Sequence, residues 1–170
     1  RNFLTFSVYS TMFPYTSAGP IVRYTDIETQ LKQRTINISK FGIGAELFVK
    51  GLAKKVLLAD NLSVLYSSIC GHPQMSVFTS WLGILAYTMQ LYFDFSGYSD
   101  MAIGLGKMLG FDFNKNFDYP YISTSVSEFW RRWHISLGSW FLDYTYIPLG
   151  GNRVSTLKHV RNILVVWALT

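Results

Sequence analysis

The sequence predicts an all-α fold, a polytopic bundle of membrane helices, on three observations. Of its 170 residues 49% are hydrophobic and 17% aromatic, yet only 15% are charged, where a soluble domain carries roughly 25%. No Asp, Glu, Lys or Arg falls between Asp60 and Asp94. Inside that gap, residues 75–93 are long enough to cross a hydrocarbon layer of roughly 30 Å at about 1.5 Å per residue. A small disulfide scaffold is disfavoured because the single cysteine, Cys70, has no partner. Residues 1–170 read as part of one transmembrane domain with no separate soluble domain. The closing apolar run, residues 163–169, is shorter than the roughly 20 residues a span needs. The sequence therefore reads as an internal piece of a longer polypeptide.

The net charge of +5 does not point to nucleic acid. Lys50, Lys54 and Lys55, then Arg131 and Arg132, then Lys158 and Arg161 each sit beside an apolar segment, as the positive-inside bias expects of cytoplasm-facing ends. No continuous basic stripe or reader motif accompanies them.

The elements follow in order. Residues 2–22 are uncharged but broken by Pro14, Gly19 and Pro20, which predicts the end of an apolar helix and then a turn. Residues 25–39 are polar and read as a loop on a membrane face. From Lys40 to about Tyr66 the residues Phe41, Ala45, Phe48, Leu52, Val56, Ala59 and Leu62 recur at spacings of three and four. Glu46, Lys50, Lys54 and Asn61 fall on the other side, so this is an amphipathic helix. Gly71, His72 and Pro73 break it. The spanning helix over 75–93 comes next and places Asp94 and Asp100 at or just past its end. A carboxylate near the membrane is costly and therefore a candidate for function; capping a helix end or pairing with Arg is the bland alternative. Gly104, Gly106 and Gly110 are spaced G-x-G-x-x-x-G outside any βαβ unit, which suits close helix packing rather than a dinucleotide loop. Residues 112–124 are turn-rich and aromatic, a loop at headgroup depth.

Ser125 with Glu128 three residues on is a capping-box pattern, and it opens a helix expected from Val126 to Asp143. At 100° per residue, Glu128, Arg132, Ser136, Ser139 and Asp143 share one face. Trp130, Leu137, Phe141 and Tyr144 share the opposite face, with His134 in its middle and Arg131 on the same side. An imidazole on an apolar face is either a hydrogen-bonded core group or the lining of a polar cavity, where it can exchange protons near neutral pH. His72, His134 and His159 are far apart, and neither H-E-x-x-H nor paired cysteines occur, so no metal is expected. No G-x-S-x-G elbow occurs either. Any chemistry rests on His134, the aspartates and residues outside this sequence.

Two long motifs carry a resemblance. Tyr92-Phe-Asp-Phe-Ser-Gly-Tyr-Ser-Asp-Met-Ala-Ile-Gly-Leu-Gly106 and Glu128-Phe-Trp-Arg-Arg-Trp-His-Ile-Ser-Leu-Gly-Ser-Trp-Phe-Leu-Asp-Tyr-Thr-Tyr-Ile-Pro-Leu-Gly-Gly-Asn-Arg153 closely resemble the membrane-bound O-acyltransferases. The alginate-type O-acetylating branch is the most similar. Phe13-Pro through Ala-Gly-Pro-Ile-Val-Arg-Tyr24 and Gly51-Leu-Ala-Lys-Lys-Val-Leu-Leu-Ala-Asp-Asn61 match the same branch, so the resemblance covers essentially the whole sequence.

The resemblance implies a multi-pass protein of the cell (inner, cytoplasmic) membrane, its interior a funnel open to the cytoplasm. It implies transfer of an acetyl group from a thioester donor, acetyl-CoA or another acetyl thioester, toward an exported polysaccharide such as alginate. Membrane lipid, periplasmic or extracellular polysaccharide-acetylation proteins and the polysaccharide acceptor are the implied partners, with no bound cofactor, no metal and no nucleic acid. His134 corresponds to the histidine of the family's Trp-His-x-Ser motif, here Trp133 to Ser136, which lines the active centre. The second histidine, usually regarded as catalytic, is expected beyond residue 170. Residues 1–170 alone are accordingly expected to be inactive. Close relatives often carry Arg where Leu142 stands, which leaves any pairing role of Asp143 in doubt; Arg131 and Arg132 are the nearby cations. A D-alanylating member of the family, and a non-catalytic transporter or scaffold of polymer export, are the alternatives.

Overall fold

The structure is a computed structural model that describes residues 3–16, 19–72 and 74–169. Ser17 and Ala18 of the first motif, Pro73 of the expected break, and Thr170 lie outside the described residues. Among the described residues the secondary structure is helical throughout, with no strand. The chain divides into two compact units, residues 1–114 and 115–170.

The first unit opens with α1 (Phe3–Ser10) and the single turn α2 (Phe13–Thr16). The segment expected as a loop over 25–39 instead contains α3 (Tyr24–Lys32). Asp26 accepts from the Arg23 amide at its start, Glu28 and Lys32 pair one turn apart at 3.0 Å, and Ile27 is fully buried. The polar composition that suggested a loop is the outer face of a helix anchored by one isoleucine. Ile27 joins Met12, Val22, Ile103, Phe111 and Phe113 in the hydrophobic core of this unit.

The amphipathic helix expected from Lys40 is α4 (Ile38–Ala53), which passes through a widened π turn (Lys54–Ala59) into α5 (Asp60–Cys70). Asn37 caps it, accepting from the Lys40 amide at 2.7 Å. Then comes α6 (Val77–Met108), 32 residues long. Residues 75–93 supply only its first half, so Asp94 and Asp100 lie inside the helix rather than at its end. The helix continues because both carboxylates are partnered from across the crossing. Lys54 Nζ donates to Asp100 at 2.6 Å and Lys55 Nζ to Asp94. Lys54, expected on the charged outer face, therefore turns toward α6. Thr79, Ser80, Thr88 and Gln90 dilute the first half of α6, and no described helix is long and apolar enough to cross a membrane.

The crossing of α4 and α6 is made of glycine. A Cβ on Gly44 would stand 2.7 Å from the Gly104 carbonyl oxygen, and one on Gly104 would stand 2.6 Å from that of Gly44. Gly51 and Gly97 repeat the arrangement at 2.5 and 2.7 Å. The two pairs lie seven residues apart on both helices and run in opposite order, so the helices are antiparallel with their backbones in contact two turns apart. Small residues permit this approach. Gly106 carries the ring of Phe113 against it. Gly110, at φ +89°, instead ends α6. Phe111 N–H bonds to the Gly106 carbonyl at 2.8 Å and Gly110 N–H to that of Lys107 at 3.0 Å, a Schellman cap.

In the second unit a turn-rich segment holding a short 3₁₀ turn (Pro120–Ile122) leads to α7 (Val126–Arg132) and α8 (Ile135–Phe141). A second widened turn (Leu142–Tyr146) and a Gly150–Gly151 loop precede α9 (Thr156–Leu169). The continuous helix expected over 126–143 is thus broken at Trp133 and His134.

The glycine contacts make a graded prediction. Gly104→Ala drives a methyl into the Gly44 backbone, and overpacking of this kind costs about 1–3 kcal/mol. Gly42, on the same helix as Gly44 with nothing within 4 Å of its Cβ position, should accept Ala with a gain of up to about 1 kcal/mol in helix propensity. Thermal melting of the full-length protein in detergent is expected to rank Gly42→Ala at or above wild type and Gly104→Ala below it.

Candidate active site

Two backbone hydrogen bonds hold the segment around Asn116 against the break between α7 and α8. Asp118 N–H bonds to the Arg132 carbonyl and Ile135 N–H to the Asn116 carbonyl, each at 2.9 Å. Between them Trp133 is extended, and His134 adopts φ +45°, ψ +55°. The left-handed conformation costs a non-glycine residue roughly 1–2 kcal/mol, and a residue kept in it marks a place where the surroundings dictate the backbone. His134 then serves as the N-cap of α8, its carbonyl accepting from Gly138 N–H at 3.1 Å.

The break redirects the side chains. On an unbroken helix Ser136 would face away from His134. Here Ser136 is buried and its Oγ lies 3.4 Å from His134 Nδ1. Both meet Asn116, which is 1% exposed. The Asn116 Oδ1 accepts from Ser136 Oγ at 2.8 Å and from Ser136 N–H at 3.1 Å, and lies 3.1 Å from His134 Nδ1. The Phe117 ring stacks on the imidazole with centroids 6.4 Å apart. At seven residues each, α7 and α8 are too short to span a bilayer, so His134 sits in a helix break rather than in a span. Burial pushes its imidazole below the ordinary histidine value, because taking a cation out of water is unfavourable. Burial thus favours the neutral form.

His134 opens onto a cavity of about 600 Å³, a size suited to a small ligand. Trp130 and Trp133 line it from one side, Leu137, Phe141 and Tyr146 from another, and Trp167 lines it from α9, meeting Trp130 edge to face at 5.9 Å. The wall is apolar and aromatic with one titratable imidazole in it. Such surroundings lower the local dielectric and strengthen any hydrogen bond made there.

The other residues singled out from the sequence divide sharply. Trp130, Trp133, His134 and Ser136 come together. Arg131 is exposed on the last turn of α7, and Asp143 is exposed in the widened turn. Arg132 is committed elsewhere, donating from Nε and Nη2 to Glu128 Oε1 at 3.0 and 2.8 Å and from Nη1 to the Asp118 carbonyl. Asp94 and Asp100 belong to the first unit, where each is paired with a lysine. Among the described residues no group of three or more potential metal ligands forms.

The capping box is half present. Ser125 Oγ accepts from Glu128 N–H at 3.1 Å, but the Glu128 carboxylate bonds the Thr124 amide and hydroxyl, each at 2.9 Å, one residue earlier than the pattern predicts. Two asparagines carry more of the architecture than the sequence indicated. Asn116 is one. Asn162, fully buried on α9, donates to the Leu149 and Gly151 carbonyls at 3.1 and 3.0 Å and so pins the Gly150–Gly151 loop to that helix. Asn116 lies in a turn-rich segment and Asn162 is a lone amide within an apolar helix; neither position signals its partners in the sequence.

The membrane-bound O-acyltransferase family model matches residues 1–169, and the chain belongs to that family. It is 50% identical over 169 residues to the probable alginate O-acetylase AlgI of Pseudomonas fluorescens, covering 99% of this chain and 34% of that protein. It is 39% identical over 174 residues to the peptidoglycan O-acetyltransferase of Helicobacter pylori, covering 99% and 33%. With the teichoic acid D-alanyltransferase of Bacillus subtilis it shares 33% identity over 147 residues, 79% of this chain and 35% of the other. The chain thus spans about a third of the length of the curated relatives it matches.

The Thr124 and Arg132 contacts hold Glu128 well below its usual range, at about 2. A carboxylate whose folded value is lowered stabilises the fold above its unfolded value and loses that contribution as pH falls toward the folded one. The melting temperature of the full-length protein should therefore fall between roughly pH 4.5 and 2. Glu128→Gln should melt lower at pH 7 and show a smaller fall across that window.

Proposed function

We propose that the full-length protein is a membrane O-acyltransferase. In this reading it passes an acetyl group from a cytoplasmic thioester, acetyl-CoA or a related acetyl donor, toward an exported polysaccharide. The observation that carries the reading is His134, an imidazole held in a strained backbone conformation at the wall of an aromatic cavity. The names of the relatives narrow it: two act in O-acetylation, one of alginate and one of peptidoglycan. Identity to both exceeds that to the D-alanyltransferase, which favours acetyl over D-alanyl transfer. Partner proteins on the outer face of the membrane would then carry the group on to the polymer. A membrane setting is supported by the family and by the first half of α6, where Val77, Phe78 and Trp81 are 77%, 75% and 63% exposed, an outward apolar surface that lipid would cover.

The chemistry is general-base acyl transfer. An acceptor hydroxyl attacks the thioester carbonyl, its proton passes to a histidine, the C–S bond breaks and the thiolate leaves to take up a proton. In this proposal the base is a second histidine beyond residue 170. His134 either positions the acceptor or steadies the developing charge.

Orienting a reacting group, or stabilising its developing charge with one donor, contributes on the order of 10²-fold. His134→Ala in the full-length protein is expected to lower polysaccharide acetylation by about 10²-fold at unchanged abundance, read as ester acetate per unit polymer alongside an immunoblot. Near-normal acetylation at normal abundance would overturn the role given to His134.

A further inference from the structure

The hydrogen bonds around Asn116 decide which ring nitrogen of His134 carries the proton. The Ser136 backbone N–H can only donate, and it lies 3.1 Å from Asn116 Oδ1. The carboxamide atom at that point is therefore its oxygen, because the amide nitrogen would bring two donors together. The Ser136 hydroxyl, 2.8 Å away, has the same oxygen to donate to. His134 Nδ1 lies 3.1 Å from this oxygen, and an oxygen acceptor at that distance needs a proton on Nδ1. In the neutral ring Nε2 then carries the lone pair. Asn116 cannot rotate away, since it is 1% exposed and its backbone carbonyl is tied to Ile135 N–H.

We propose that Asn116 is a positioning residue that locks His134 in the Nδ1–H tautomer, so that Nε2 meets the acceptor as a hydrogen-bond acceptor. This rests on the acyl-transfer reading above and decides between the two roles left there. A neutral imidazole with its lone pair on Nε2 has no proton there to give to a developing oxyanion. It aligns a hydroxyl instead. His134 therefore selects for a molecule that offers it an O–H, as a sugar does, while oxyanion stabilisation falls to other groups. No bond forms or breaks at Asn116 or His134.

The test has a spectroscopic arm and a kinetic arm, both on the full-length protein in detergent or in membranes. Histidine-selective ¹⁵N labelling at pH 8 reads the tautomer from which nitrogen is of the protonated, pyrrole type, with the His134 signals assigned by their loss in His134→Asn. The expected result is a protonated Nδ1 in the wild type. Asn116→Leu removes the acceptor while keeping the volume, and should release this preference and lower acetylation by about 10²-fold, the loss expected when a reacting group is misplaced by about 1 Å. Asn116→Asp keeps an oxygen for all three donors and should retain both the Nδ1–H signal and acetylation within about tenfold of wild type. It decides the matter if Asn116→Leu fails to accumulate.

A protonated Nε2 in the wild type, or unchanged acetylation in an Asn116→Leu protein whose tautomer has changed, would overturn the positioning role. So would loss of the Nδ1–H signal in a folded Asn116→Asp protein. An Nδ1–H signal in a folded wild-type protein that transfers no acetyl group would bring down the acyl-transfer reading and leave the tautomer assignment standing, which separates the two failures.

Discussion

Two donors from Ser136 and the ring nitrogen of His134 converge on one carboxamide oxygen, and the geometry of the candidate site follows from that. The Asn116 Oδ1 takes the Ser136 amide, the Ser136 hydroxyl and the His134 ring, which can only happen if the chain between Arg132 and Ile135 leaves the helix. Leaving it places His134 at a positive φ, at roughly 1–2 kcal/mol, and breaks helical hydrogen bonding for two residues. Each recovered bond contributes a net of about 0.5–1.5 kcal/mol. Three bonds to Oδ1 and two backbone bonds at Asn116 and Asp118 are enough to offset the strain. Moving the histidine therefore requires dismantling several of these bonds at once, which is how a fold keeps a functional group in an unfavourable conformation.

The first unit solves a different problem with different means. Its two longest helices, α4 and α6, are brought to backbone contact by glycines at two levels, which gains close van der Waals packing and leaves room for the Lys54–Asp100 and Lys55–Asp94 pairs beside the crossing. The widened turn over Lys54–Ala59 lies where two consecutive lysines both reach the same neighbouring helix. On a regular helix successive residues point 100° apart. Asp94 and Asp100 are both charge partners in this helix contact.

An aromatic wall and a single imidazole suit acyl transfer for the same physical reason. Aromatic surface excludes water and so favours the neutral ring. A neutral ring with a defined tautomer presents one acceptor in one direction. Catalytic geometry of this kind needs a supporting layer of residues that never meet the substrate. Asn116, Ser136 and Phe117 form it beneath His134, and Asn162 with the Gly150–Gly151 loop supports the α9 side of the cavity.

The all-helical class, the amphipathic helix beginning near Lys40, the close packing at Gly104 and the Trp-His block were legible in the sequence because they rest on periodicity, small-residue spacing and motif order, all local properties. The length of α6 was not, since Asp94 and Gly97 oppose a helix until Lys55 and Gly51 meet them from across the crossing. The helix α3 was hidden because one buried isoleucine, Ile27, outweighs a polar composition. The break at His134 escaped any reading of helical period: residues 126–143 do repeat as a helix, and what interrupts them is Asn116, 18 residues away. By itself the sequence determined the chemistry available, a histidine among tryptophans. Only the tertiary structure decided which way that histidine faces and that its Nδ1 meets Asn116, because both depend on hydrogen bonds between segments that local propensity does not connect.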